Sequence, residues 1–159
     1  MSVQLRPDDA RLAWEGAISL QHADGWVMPW RIPYEDRALF PPLALQERAA
    51  MPAGVRIAFY SDTSTLAGSI EPETDISPLD LLCDGRLHET VALAGRDGFR
   101  FENLPPGEKL LELWLPQIGR FRMRSSAPGR SGSRGPGGSG SPLRCALHAH
   151  RIPPGPGPA

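Results

Sequence analysis

Apolar and polar residues alternate with period two along most of the first 124 residues, and that pattern confines the chain to half-buried β-strands. Leu12, Trp14, Gly16, Ile18 and Leu20 share one face, and Ala13, Glu15, Ala17, Ser19 and Gln21 the other. Val55, Ile57 and Phe59 alternate with Arg56, Ala58 and Tyr60; Leu111, Leu113 and Leu115 interleave with Glu112 and Trp114. Shorter alternations recur around Leu66–Ile70, Phe99–Phe101 and Phe121–Met123. Each reads as a strand with one face on a core and the other toward water.

The breaks between these runs carry turn chemistry. Asp84-Gly85 separates LDLLC from RLHETVAL, and a type I′ hairpin turn needs positive φ at both central residues. Asp24-Gly25, Asp97-Gly98 and Pro105-Pro106-Gly107 mark further turns. The single helical candidate, 43–51, is fenced by Pro41-Pro42 and Pro52. The expectation is an all-β fold: a jelly-roll-like β-sandwich over 1–124, with a disordered C-terminal tail over 125–159. The tail holds 21 Gly, Pro or Ser among 35 residues and too few large apolar side chains to offset its chain entropy.

Charge splits at the same place. Residues 1–124 carry 13 Lys and Arg against 18 Asp and Glu, whereas the tail has four Arg and no acid. The acidic body argues against nucleic acid as a partner, because phosphate calls for a basic surface. No apolar run approaches the length needed to cross a bilayer, and the N-terminus shows no secretory signal, so a soluble cytoplasmic protein is expected.

Motifs with chemical overtones are weak. Residues 135–140 fit G-x-G-x-x-G but lack the strand before and the helix after that a dinucleotide site needs. Cys145, His148 and His150 are too few for a zinc centre, and Glu71, Glu73 and Asp75 read as a solvated acidic loop. There is no G-x-S-x-G, no GDS or GSS block and no D-x-x-H string. Ser61 reads as a turn residue and Cys83 as a small buried hydrophobe. No catalytic residue, metal or cofactor is expected.

The aromatic density is greatest in GWVMPWRIPYEDRALFPP, residues 25–42. Rings beside hydrogen-bonding groups suit a sugar or aryl ligand, which makes Trp26, Trp30, Arg31 and Tyr34 the candidate substrate-binding residues. The alternative is that the tryptophans cap the core and the prolines stiffen a crossover loop. A further expectation is an exposed apolar patch, with Trp114, opposite the core-facing leucines, as its candidate; the alternative is a central strand covered on both faces, which buries Trp114.

The order W-x-G-A-x-S-L, PWR, MPAGVRIAFYSD, DLLCDGRLHE and LELWLPQIGRFRMRS resembles the N-terminal β-sandwich of GDSL/SGNH-type hydrolases, a group in which a GDSL-type acyltransferase of polyketide tailoring is one relative. The resemblance covers about 11–124. It implies a non-catalytic accessory domain of an esterase or acyl hydrolase that packs against an SGNH catalytic domain and borders a carbohydrate or acyl-ester substrate. A free-standing carbohydrate-binding module is the alternative. The resemblance ends abruptly after 124. Lys109 is the single Lys among many Arg, and Ala, Gly and Pro are abundant, as in GC-rich coding DNA. The tail matches such DNA read out of frame, so a frameshift or truncation that removed the catalytic domain is expected; a genuine short protein with a flexible tail is the rival.

Overall fold

Turn chemistry and alternation together build two antiparallel layers in the computed structural model, which describes residues 5–125. The expected tail lies outside the described residues. In chain order the strands are β1 (Ala13–Glu15), β2 (Ser19–Ala23), β3 (Trp26–Trp30), β4 (Arg56–Ser61), β5 (Leu66–Ser69), β6 (Leu79–Cys83), β7 (Arg86–Val91), β8 (Gly98–Phe101), β9 (Lys109–Trp114) and β10 (Met123–Arg124). One helix, α1 (Leu43–Ala49), follows a 3₁₀ turn at Arg37–Leu39.

The first layer runs β1-β4-β9-β6-β7. The second is made of β10-β3-β2 and the pair β5-β8. An Ile70–Met123 bridge and the Glu71 N–H donating to the Arg122 carbonyl (2.9 Å) join its two parts, giving β2-β3-β10-β5-β8. The all-β expectation is met.

The core lies between the layers. Val55, Ile57 and Phe59 on or beside β4 and Leu111 and Leu113 on β9 are at most 2% exposed, and they pack with Phe101 and Phe121 from the other layer. Each such side chain stabilises the fold by roughly 1.5–3 kcal/mol through burial. The alternate residues of the first layer form its outer face. There Arg56 pairs with both Glu15 and Glu112, and its guanidinium lies 5.2 Å from the centre of the Trp114 ring. Trp114 is half-buried, and its indole N–H is enclosed without a partner in the described structure. It is therefore not the centre of an exposed apolar patch.

Two local features differ from the pattern read in the sequence. The run from Leu12 to Gln21 is not one strand: it breaks at Gly16, with φ 84°, and β1 and β2 belong to different layers. WVMPW, for which a proline-stiffened crossover loop is the alternative reading of the sequence, is the strand β3. Four of its five residues are buried, so no alternation shows. Its Pro29 is tolerated because β10 opposes only Trp26 and Val27, which leaves Pro29 with β2 alone as neighbour.

Candidate functional site

β3 sets the geometry of the aromatic segment. Trp26, Met28 and Trp30 follow one another at every second position, so all three side chains leave the same face of the strand. Met28 and Trp30 pack against Ala49 and Ala50 at the end of α1, with Trp26, Ile32 and Tyr34 completing the cluster. Three of the four predicted site residues, Trp26, Trp30 and Tyr34, are thus brought together on the outer side of the second layer.

Hydrogen bonds lock this cluster. The Trp30 indole N–H donates to Gln21 Oε1 (2.9 Å), and Gln21 Nε2 donates to the Tyr34 hydroxyl (3.0 Å). The Trp30 and Tyr34 rings stand 5.2 Å apart, tilted by 43°. Ser19 Oγ donates to the Ile32 carbonyl and accepts from the Tyr34 backbone N–H, both at 2.9 Å. The Arg37 guanidinium lies 4.2 Å from the centre of the Tyr34 ring and donates to the Tyr34 carbonyl. Trp30 is only 8% exposed, so its ring is a packing element. Trp26 is half-buried with the Arg122 guanidinium 5.4 Å from its ring centre.

Arg31 serves a different purpose. Its backbone N–H donates to the Ala49 carbonyl (2.9 Å) and its guanidinium to the Arg48 carbonyl. These are carbonyls of the last turn of α1, which want donors and favour a cation. Arg31 therefore ties β3 to the end of the helix.

Gln21 and Ser19 were not among the candidates, although the sequence held the signal. The Asp24-Gly25 turn pairs Ala23 with Trp26, and the two-residue period then places Gln21 opposite Met28 and Ser19 opposite Trp30. Following that register puts both polar side chains on the aromatic face.

The nucleophile types are engaged elsewhere. Ser61 is 1% exposed and its Oγ accepts from the Thr63 backbone N–H (3.1 Å). Cys83 is a free, buried thiol in the core. Burial pushes its pKa up; Lys109 opposes that and Asp84 adds to it. His22 sits on β2 and His88 on β7, in different layers, and His88 Nε2 lies 3.0 Å from the Glu102 carbonyl. Among the described residues, no group of three or more His, Cys, Asp or Glu could hold a metal ion. Among them, too, no helix is long and apolar enough to cross a membrane. Cys145, His148, His150 and the glycine-rich string 135–140 lie outside the described residues.

Comparison with known proteins assigns this arrangement. A family model described as the SsfX3 N-terminal domain matches residues 12–124. No curated protein matches. A solved structure titled "Salicylyl-Acyltransferase SsfX3 from a Tetracycline Biosynthetic Pathway" is 38% identical, with a TM-score of 0.70. The match covers 77% of this chain and 38% of that one, so the chain spans well under half the length of that acyltransferase.

These matches correct the expected identification as the N-terminal domain of a GDSL/SGNH-type hydrolase. The esterase accessory role drawn from it, and the free-standing carbohydrate-binding module kept beside it, go with that identification. The physical reason is that alternation and turn residues specify a sandwich whatever chemistry its parent performs. With 113 consecutive residues from Leu12 to Arg124 matched, the chain belongs to the SsfX3 N-terminal domain family.

Proposed function

We propose that this domain is the N-terminal β-sandwich of an acyl-transferring enzyme, and that it frames the reacting centre without supplying the reacting groups. The observation that carries this reading is the family match over 12–124, together with 38% identity to a solved acyltransferase. The side chains agree with it. Acyl transfer through a covalent intermediate needs a nucleophile within reach of an oriented base. Here Ser61 and Cys83 are buried in the sandwich, and the two described histidines stand on separate layers.

In this reading the segment from Trp26 to Tyr34 contributes a wall to the acyl-transfer cleft. Trp30 and Gln21 hold the wall rigid, while the half-buried Trp26 and Tyr34 present ring surface to an acyl group or its acceptor. Arg31 keeps the end of α1 in place beneath them. The test is an assay of the purified chain with an aryl acyl thioester, an alcohol acceptor and a short acyl ester. Neither transfer nor hydrolysis should exceed background. Turnover abolished by Ser61→Ala or Cys83→Ala would overturn the proposal.

A further inference from the structure

Residues 38–45 read Ala-Leu-Phe-Pro-Pro-Leu-Ala-Leu, eight apolar residues in succession, and none is buried. Leu39 is 75% exposed, Leu43 69% and Leu45 44%. A short helix on a self-sufficient domain turns its leucines inward. In α1 the inward contacts come from Ala49 and the adjoining Ala50, against Met28 and Trp30, while Leu43 and Leu45 stand outward. Contiguous exposed apolar surface of this kind marks a site of association.

The run is also held in place. On one side Arg31 bonds to the carbonyls of Arg48 and Ala49. On the other, Ser19, Gln21 and Arg37 fix the segment around Tyr34. Exposed Glu35, Asp36, Glu47 and Arg48 flank it, so an apolar centre has a charged rim, the usual anatomy of a protein interface.

We propose that residues 38–45 are the surface on which the sandwich seats the domain that follows it in acyltransferases of this family; the proposal rests on the functional reading above. Three observations choose this occupant. The matched family is an N-terminal domain, and more than half of the solved acyltransferase lies outside the match. The last strand, β10, runs beside the start of β3, where Arg124 opposes Trp26 and the Ser125 N–H donates to the Gly25 carbonyl. The end of α1, the helix that begins within the apolar segment, is tied through Arg48, Ala49 and Ala50 to the other end of β3, at Trp30 and Arg31, four residues or about 13 Å away at the rise of a strand. A domain continuing from β10 thus begins about one short strand's length from the end of the helix that carries Leu43 and Leu45.

The experiment places aspartate at Leu39 and Leu43 of this chain and at the aligned positions of the solved acyltransferase. In this chain both side chains are exposed, so the thermal midpoint should stay unchanged while binding of an apolar reporter dye falls. In the acyltransferase the pair should speed proteolytic cleavage between the domains by roughly tenfold, the scale expected when central interface contacts are lost. Leu→Ala at the same positions, which adds no charge, should do the same to a smaller extent and covers the case in which the aspartate variant fails to fold. Unchanged cleavage in both variants, or polar residues already present at the aligned positions, would overturn the proposal. So would self-association of this chain that Leu43→Asp abolishes while the acyltransferase is unaffected, since the occupant is then a second copy. Acyl transfer by this chain alone would sink the functional reading instead, and leaves the cleavage result standing or falling separately.

Discussion

Gln21 shows how one polar side chain decides what an aromatic cluster is for. It accepts from Trp30 and donates to Tyr34, so both of its amide functions are spent on holding rings together. Replacing it by leucine leaves the nearly buried indole N–H of Trp30 without an acceptor, at a cost of about 1–3 kcal/mol. Gln21→Leu should therefore lower the denaturation midpoint of the chain, and Gln21→Glu, which keeps the acceptor, should lower it less. Equal midpoints for wild type and Gln21→Leu would mean that water reaches the indole. The aromatic residues were legible as a group in the sequence. Their partners were not read there, because Ser19 and Gln21 look like ordinary outward-facing strand positions until the hairpin register is followed across Asp24-Gly25.

At the level of elements, the passage from β1 to β2 carries the chain from one layer to the other, and Gly16 makes it possible. Its φ of 84° is left-handed, and a Cβ there would stand 2.6 Å from the Gly54 carbonyl oxygen. Gly25 has nearly the same φ, 82°, with nothing within 4 Å of its absent Cβ. The two glycines separate strain from collision. Gly25→Ala should cost about 1–2 kcal/mol, the penalty for a left-handed residue bearing a Cβ. Gly16→Ala should cost clearly more, because the backbone of the 52–55 turn must also move. Denaturant titration of the two variants gives the comparison, and equal losses would show that the Gly54 carbonyl yields freely. Alternation alone could not reveal this break, since Trp14, Gly16 and Ile18 keep their period while the layer they belong to changes. β3 was hidden for the opposite reason: covered on both faces, it has no polar alternation to betray it.

For the whole molecule, the core between the layers is a single cluster, and Cys83 at the end of β6 belongs to it. In a Cys145→Ser chain, where Cys83 is the remaining thiol, modification by a thiol reagent should be limited by opening of the sandwich. A stability in the ordinary range for a domain predicts labelling roughly a thousandfold or more slower than in denaturant. Labelling at the rate of a free thiol in native buffer would show that this end of β6 opens locally. The sequence by itself determined the all-β class, most strand positions, the short helix and the Asp84-Gly85 hairpin, whose residues adopt the positive φ values of 48° and 76° that the turn requires. Those features depend on neighbours a few residues apart, and alternation and turn chemistry record them directly. Only the tertiary structure decided which layer each strand joins, which rings are locked by Gln21, and that the leucines of α1 face outward. Those outcomes depend on which distant surfaces meet, and a local pattern of apolar and polar residues is the same whichever surface covers it.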